Sequence, residues 1–479
     1  MSYITLGSVY PVTSHTDFVG PGTTFVAISG NKVDGLSFVP LALQKGATTI
    51  VVQQEVELSN TLQKMIKEYE AKIVYVLNCR KALAEMSAQA LGYPAKKLKI
   101  IGVTGTKGKT STSYMLYHML SDLGKKVALS STIEKLIEKD LVKISLTTPL
   151  PDQLHMFLDL CVKRDIEYVV LEVSAQALSL HRVDGIEFEA GIFTNFSLEH
   201  LEFFKDLQEY FLAKASLVDY IKKHQHMFVN IDDKYGVELK NMYPDCSTFS
   251  LENKSANVYG YPHFNRDSMG IHVKIDKQTF FFQAPLLGRF NAYNMIAAVS
   301  VLQVLGINLQ KMKTSMMSLQ RIPGRMEQYA LQNGSRCFID YAHNPSSFEA
   351  VLSTLRMMTS DLIVVFGAGG CRDKHKRPLM GAVAQRYGNT IILTSDNPRD
   401  EDPEDIVCDI QRGFIQTDSC QIYKELNRTK AIEKAYSISG KQSIIAILGK
   451  GPDEYQIVGD LTFPFKERSI IKKFMQEDL

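Results

Sequence analysis

The run Gly102-Val-Thr-Gly105-Thr106-Lys107-Gly108-Lys109-Thr110-Ser111 has the residue types and spacing of a phosphate cradle. Glycines let backbone N–H groups close around phosphate oxygens, and a helix opening at such a loop adds favourable partial charge. An apolar strand over 99–103 and a helix over 110–123, stopped by Gly124, give the context a P-loop requires. There the Lys109 ammonium reaches the β- and γ-phosphates and the Thr110 hydroxyl can ligate Mg²⁺. The spacing departs from strict GxxxxGK, because Val103 stands where the first glycine would be. The plainer alternative is a Gly-rich turn with a surface lysine.

Groups suited to a metal follow. Glu172 ends an expected strand over 168–171, and His200 follows one over 191–194. Carboxyl ends of parallel strands form the ligand crevice of a doubly wound sheet. One carboxylate plus a P-loop hydroxyl suits Mg²⁺, which prefers oxygen ligands and few protein groups. Taken alone, Glu172 could be a structural ion pair, His200 a loop histidine, and Lys214 a helix lysine facing solvent. Three polar clusters lie later at expected strand ends: Asp340-Tyr-Ala-His343-Asn344-Pro345, the basic glycine loop 367–378 with Arg372 and Arg377, and Ser395-Asp396-Asn397-Pro398-Arg399. Such clusters favour acidic ligands, although Asp340 could simply cap a helix and Asn397-Pro398 is an ordinary turn signal.

These residues need a scaffold, and the pattern supplies an α/β one. The chain has 479 residues, enough for about three domains at ~150 residues each. Strands over 24–28, 48–52 and 73–77 with helices over 38–45 and 81–91 form a first domain, 1–97, ending in a linker at Tyr93-Pro94-Ala95-Lys96-Lys97. A central domain, 98–321, carries the P-loop, strands over 127–130 and 227–230, helices over 207–221 and 291–305, and an antiparallel excursion over 248–284. After Ile322-Pro323-Gly324 a doubly wound domain, 322–479, alternates strands over 337–339, 362–366, 390–393 and 443–448 with helices over 346–358, 378–386, 403–411 and 470–476.

Charge is balanced, with 54 Lys and Arg against 52 Asp and Glu, so electrostatics make no case for nucleic acid as the main partner. Seven cysteines without a CxxC disfavour a disulfide scaffold or zinc ribbon and suit a reducing cytoplasm. Neither a signal peptide nor a membrane-spanning stretch is legible.

Taken in order, the motifs resemble the Mur ligase family over nearly the whole chain. The similar segments are Pro21-Gly22 with Phe25-Val26-Ala27, Gly30 and Asp34-Gly35; Thr104–Thr110; Thr147-Thr148-Pro149; Glu172-Val173-Ser174; Arg182; Thr194-Asn195; His200; Ala213-Lys214; Asn291 with Asn294; Pro323-Gly324-Arg325; Asp340–Pro345; Asp396–Arg399; and Gly449-Lys450-Gly451. The resemblance implies an N-terminal uridine-binding domain, a central ATPase domain and a C-terminal amino-acid-binding domain. It also implies a reaction: ATP phosphorylates the terminal carboxylate of UDP-MurNAc-L-Ala-D-Glu, and the amine of a diamino acid attacks the acyl phosphate.

By the same resemblance, Thr110 and Glu172 hold one Mg²⁺, while His200 and a carbamylated Lys214 hold a second. Gly105 through Ser111, Asn291, Asn294, Arg325 and Asp340 contact the nucleotide, with Lys109 and Arg325 offsetting phosphoryl charge. Thr16, Thr147, Thr148, Ser174 and Arg182 hold the sugar nucleotide. Arg377, Asp396, Asn397, Pro398, Arg399, Gly449 and Asp453 hold the amino acid. An arginine fork at 399 favours meso-diaminopimelate, whose distal end carries an extra carboxylate, over L-lysine; the alternative is that Arg399 only pairs with Asp400, Glu401 or Asp402.

Several positions depart from the family pattern: His15-Thr16-Asp17 in the uridine pocket, Ala175-Gln176 after Ser174, Leu180 in place of a substrate-contacting Gln, Lys107 in the P-loop, and Pro452-Asp453 after Gly451. Other readings are a Mur-type ligase for L-lysine or another acceptor, and a nucleotide-binding protein without catalysis. Folylpolyglutamate synthases fit less well, lacking the Asp-Asn-Pro-Arg cluster. A monomer without membrane insertion is expected.

Overall fold

The computed structural model describes residues 3–30, 33–197, 203–416 and 420–475. The central sheet runs, edge to edge, Tyr3–Ile4, Asp140–Val142, Lys135–Ile137, Val127–Ser130, Tyr168–Glu172, Lys99–Thr104, Ala190–Phe193, Met227–Asn230, Ser247–Ser250, Val258–Phe264, Met269–Ile275 and Gln278–Ala284. From Val127–Ser130 to Val258–Phe264 every pairing is parallel. The strands read as near-continuous apolar runs because helices cover both faces. From Lys99–Thr104 the chain passes to strands on one side and later to Ala190–Phe193 on the other, so a crevice opens at that strand's carboxyl end. Register sets what meets there. Glu172 pairs with Val103 and Phe193 with Thr104, which brings three strand exits level with the Gly-rich loop.

The N-terminal domain has four parallel strands in the order Val12–Thr13, Thr24–Val26, Thr49–Gln53, Lys72–Val76. The third domain has six, in the order Glu327–Ala330, Arg336–Asp340, Ile444–Leu448, Leu362–Phe366, Thr390–Leu393, Gln421–Lys424, antiparallel only at the first pair. The chain forms two compact units. One comprises residues 1–261, 272–282 and 293–317, and the other 262–271, 283–292 and 318–479.

Some expectations change. The expected linker is a 3-10 turn, Pro94–Lys97, in which Pro94 and Ala95 are buried while Lys96 and Lys97 are exposed. The helix expected over 207–221 ends at Ala215, continues as a 3-10 turn, Ser216–Tyr220, and stops there. The C-terminal helix is Glu467–Lys472, starting three residues before the expected one, with Glu467, Ile470 and Ile471 buried; Gln476, the end of the expected range, lies outside the described residues. Helices Asn60–Glu68, Pro151–Lys163, Lys234–Met242 and Arg428–Ile438 were not anticipated.

Candidate active site

In the first unit, the loop after Lys99–Thr104 is held by the exit of Ala190–Phe193. The Thr106 amide donates to the Asn195 carbonyl (2.8 Å), and the Lys107 amide donates to Asn195 Oδ1 (2.9 Å). Thr194 Oγ1 donates to the Lys107 carbonyl (2.6 Å), and the Ser197 amide donates to Thr106 Oγ1 (3.0 Å). Two glycines are obligatory. Gly105 has φ +135°, and a Cβ there would lie 2.0 Å from Thr194 Oγ1; Gly108 has φ +84°, and its Cβ would lie 2.4 Å from Asn294 Oδ1. Helix Lys109–Asp122 then begins without a side-chain cap, so its first amides open toward the loop. Asn294, on helix Arg289–Val304, accepts from Thr112 Oγ1 (3.2 Å), tying that helix to the cradle.

Lys109 Nζ donates to the carbonyls of Gly105 (2.9 Å) and Thr106 (3.1 Å). Lys214 is 2% exposed and donates to the same Gly105 carbonyl (2.8 Å), which corrects the solvent-facing reading. Its helix, Leu207–Ala215, is capped by Asp206, whose Oδ1 accepts from the Glu209 amide. Phe211 anchors the helix, with its ring edge-on to Phe193 (6.3 Å) and Phe196 (5.6 Å). Lys214 lies three residues beyond Phe211, so both share the inward face. Its ammonium also sits 4.7 Å from the Tyr210 ring centroid.

Glu172 is fully buried. Its carboxylate accepts from Thr110 Oγ1 (3.2 Å), the Thr132 amide (3.0 Å) and Thr132 Oγ1 (2.9 Å). A buried carboxylate beside a P-loop hydroxyl is an oxygen-donor pair that fits Mg²⁺. Among the described residues no group of three or more His, Cys, Asp or Glu converges on one point. His200 lies outside the described residues.

Glu172 also leads to the residues expected to take the acceptor. Thr147 Oγ1 is 3.1 Å from Thr132 Oγ1. Thr148 Oγ1 donates to the Glu172 carbonyl (2.8 Å) and accepts from the Ser174 amide (3.1 Å), while Arg182 Nη1 donates to the Thr148 carbonyl (3.0 Å). Ser174 caps the next helix, Ala175–Ser179. Thr147, Thr148, Glu172, Ser174 and Arg182 thus form one cluster. Thr16 lies elsewhere, in a 3-10 turn where its carbonyl accepts from Lys45 Nζ. A cleft of about 440 Å³ is lined by Gly30, Val33, Arg80, Gln176, Ser179, Leu180, Phe203 and Phe204.

Sequence reasoning missed Thr132 and Lys135. The Lys135 ammonium, 3% exposed, holds the carbonyls of Ser131 (2.7 Å) and Leu146 (2.6 Å), and Leu146 has φ +58° immediately before Thr147. Desolvation pulls this ammonium down to about 8, against the opposing pull of Glu172. No periodicity or motif marks either residue.

The second unit carries Asn291, Arg325 and Asp340. Asn291 Nδ2 donates to the Leu287 carbonyl (2.8 Å). Arg325 lies over the Tyr341 ring (4.9 Å). Asp340 accepts from the amides of Met326 (2.7 Å) and Ala342 (2.8 Å), and it is Asn344 that caps helix Pro345–Arg356.

Lys450, fully buried, donates to Asn397 Oδ1 (2.9 Å) and Asp396 Oδ1 (3.3 Å). A Cβ on Gly449 would sit 2.6 Å from Asp396 Oδ2, and one on Gly370 would sit 1.7 Å from the Pro398 carbonyl oxygen. Arg399 has φ +51°, a strained setting for a non-glycine residue, and its guanidinium donates to the Gly370 carbonyl (2.7 Å). It makes no ion pair among the described residues. Glu401 is taken by Arg377, whose guanidinium also holds Asp409 and the Gly369 carbonyl. That pairing holds Glu401 near 2, well below the usual range. Arg377 is fully buried and touches the loop from within.

Beneath both loops lies Arg428, also missed. It donates to Glu467 (2.7 Å), to the Leu448 carbonyl (2.8 Å) and to the Ser395 carbonyl (3.3 Å), the last residues before Gly449 and Asp396.

Desolvation pushes the Asp453 carboxyl from 3.8 up to about 6, and Asp396 adds to this, while Lys450 and Arg325 oppose it. The native state therefore holds this proton more tightly than the unfolded chain, and stability falls as pH rises through that window. Asp453→Asn removes the penalised charge. It should melt above the unmutated chain near pH ~8, with the gap closing near pH ~4, as calorimetry would read. A variant melting lower at both pH values would contradict this.

Three family models match the chain: "Mur ligase family, catalytic domain" over residues 9–90, "Mur ligase middle domain" over 103–302, and "Mur ligase, glutamate ligase domain" over 324–451. The UDP-N-acetylmuramoyl-L-alanyl-D-glutamate–2,6-diaminopimelate ligase of Clostridium perfringens is 37% identical, with 95% of this chain and 92% of that one aligned. Its counterpart in Caldanaerobacter subterraneus is 36% identical, with the same coverage. A solved structure of a ligase of that name superposes with a TM-score of 0.69 at 28% identity, covering 97% of this chain and 94% of that one. MurF from Acinetobacter baumannii shares the fold, with a TM-score of 0.66 at 16% identity, over 96% of this chain and 92% of that one. With three domain models matched in order and such relatives along almost its whole length, the chain belongs to the Mur ligase family.

Proposed function

We propose that this chain is an ATP-dependent amide ligase that adds meso-diaminopimelate to UDP-MurNAc-L-Ala-D-Glu in peptidoglycan precursor synthesis. The observation that carries the reading is the joining of a phosphate cradle to an acceptor cluster through one carboxylate, with Glu172 touching Thr110 and its carbonyl taking Thr148. A carboxylate becomes a good electrophile once an oxygen is made a leaving group. The γ-phosphoryl of ATP passes to the acceptor's terminal carboxylate oxygen, the diamino acid's amine attacks the carbonyl carbon, and inorganic phosphate departs with the C–O electrons.

The loop amides and Lys109 hold the phosphates in line, and Thr147, Thr148, Ser174 and Arg182 present the acceptor. Asn291, Asn294, Arg325 and Asp340 serve the nucleotide. Thr110 and Glu172 would hold Mg²⁺, which when bound offsets charge on the transferring group. Lys214 is the residue for carbamylation, its amine adding to CO₂ to give an anionic oxygen donor, and with His200 it would hold a second Mg²⁺. Asp396, Asn397, Pro398, Arg399, Gly449 and Asp453 form the diamino-acid pocket, with Arg377 supporting it through Glu401 and Thr16 serving the uridine end. ATP as co-substrate and seven free thiols favour a cytoplasmic setting. No described helix is long and apolar enough to cross a membrane.

The test is phosphate release from ATP. It should require both UDP-MurNAc-L-Ala-D-Glu and meso-diaminopimelate, and should fall when bicarbonate is stripped from the buffer. Release without an acceptor, or none at all, would refute the ligase; indifference to bicarbonate would remove only the carbamate.

A further inference from the structure

Lys135 opens strand Lys135–Ile137 and is the middle rung of a three-strand ladder, pairing with Ser130 on one side and Val142 on the other. Its side chain is buried, although ordering a long stem and desolvating an ammonium both oppose this. In return the ammonium holds two carbonyls, of Ser131 (2.7 Å) and Leu146 (2.6 Å). Ser131 directly follows strand Val127–Ser130, and Leu146 lies shortly after strand Asp140–Val142. One charged group therefore fastens the entry of this antiparallel excursion to its exit.

The exit needs such a tie. Residues 144–147 make no backbone–backbone hydrogen bond among the described residues. Leu146 has φ +58°, a left-handed conformation that a leucine disfavours, and its side chain is exposed. That conformation is held where the Leu146 carbonyl meets Lys135. Each arm of the ammonium ends one residue short of a group that faces the phosphate cradle. After Ser131 comes Thr132, whose amide and hydroxyl donate to the Glu172 carboxylate. After Leu146 come Thr147, 3.1 Å from Thr132 between hydroxyl oxygens, and Thr148, which donates to the Glu172 carbonyl.

We propose that Lys135 is a positioning residue for the acceptor, its ammonium locking Leu146 in the left-handed turn that presents Thr147 and Thr148 beside Glu172. The role rests on the ligase reading, in which these threonines take the acceptor. Lys135 touches no substrate in it. Without the ammonium, Leu146 is free to relax to negative φ, because solvent can reach this surface turn and take over its carbonyl. Thr147 then leaves Thr132, while the phosphate cradle, tied separately to Thr194 and Asn195, keeps its shape.

The test measures KM for UDP-MurNAc-L-Ala-D-Glu, kcat and ADP affinity in the unmutated chain, Lys135→Met, Lys135→Arg and Leu146→Pro. Lys135→Met keeps an unbranched stem and removes the donor. Leu146→Pro forces φ to about −65° at an exposed position and alters nothing buried. Both should raise the acceptor KM about 10- to 100-fold, by more than kcat falls, as expected of a misplaced anchor. ADP affinity should stay within about twofold, because the cradle is tied independently. Lys135→Arg keeps charge and donors and should lie closer to the unmutated chain. Combining Lys135→Met with Leu146→Pro should be little worse than either alone, since both release one segment. An unchanged acceptor KM in either single variant would overturn the proposal. So would additive effects in the double variant, Lys135→Arg no better than Lys135→Met, or a parallel loss of ADP affinity, which would make Lys135 scaffolding for the whole crevice. If Lys135→Met does not fold, Leu146→Pro decides alone by the same two readouts. If the unmutated chain ligates while any overturning result holds, only the positioning role fails; the ligase reading fails only when that chain releases no acceptor-dependent phosphate.

Discussion

Lys109→Ala is expected to lower turnover about 10²- to 10³-fold, because it removes a cation from the oxygens on which phosphoryl charge develops. The fold should hold, since Thr194 and Asn195 tie the loop in place without help from Lys109. The measurement is kcat under saturating ATP, acceptor and amino acid, paired with a thermal melt. Near-normal ligation by a well-folded variant would show that the Gly105–Thr110 loop does not handle the transferring phosphate. A parallel loss of melting temperature would instead assign Lys109 to scaffolding of the loop.

The second large effect concerns the choice of amino acid. The unmutated chain should prefer meso-diaminopimelate to L-lysine, by less than the ~10⁴ of a fully buried donor left unpaired, since Arg399 is half-buried. In Arg399→Ala that preference should collapse through loss of the diaminopimelate reaction. Arg399 is suited to this, because its strained backbone aims a guanidinium whose hydrogen bonds among the described residues go to carbonyls, while Arg377 and Lys374 occupy Glu401. Competition between the two amino acids at equal concentration, read by product mass, decides it. Equal or better use of L-lysine by the unmutated chain would overturn the assignment and leave the ligase intact.

How far the residues alone reveal this site depends on how local each constraint is. The phosphate loop was legible because only glycine fits at 105 and 108, so strand, glycines, Lys-Thr and helix appear in one short run. The strands 362–366 and 390–393 were legible to the residue, being uninterrupted apolar segments between polar loops. Lys214 was ambiguous alone, since its burial depends on Phe211 meeting Phe193 and Phe196 from another strand exit. Thr132, Lys135 and Arg428 were illegible for the same reason taken further. Thr132 reaches Glu172 forty residues on, and Arg428 reaches Glu467 thirty-nine residues on, and no local pattern records such pairings. Helix Asn60–Glu68 was legible in principle, since Leu62, Met65 and Ile66 stand at helical spacing and pack together on the core.

The stitching of residues 105–107 to 194–197 has one more consequence. Most of the order in that loop is imposed by neighbouring residues of the same chain, so its conformational entropy is given up during folding and not again at each encounter with nucleotide. Preorganisation of this kind favours tight, fast capture of a triphosphate. It also displaces apparent function in a mutational survey. Thr194, Asn195 and Ser197 touch the cradle and would score as nucleotide-binding positions, although their role is to keep a pattern of amides in shape.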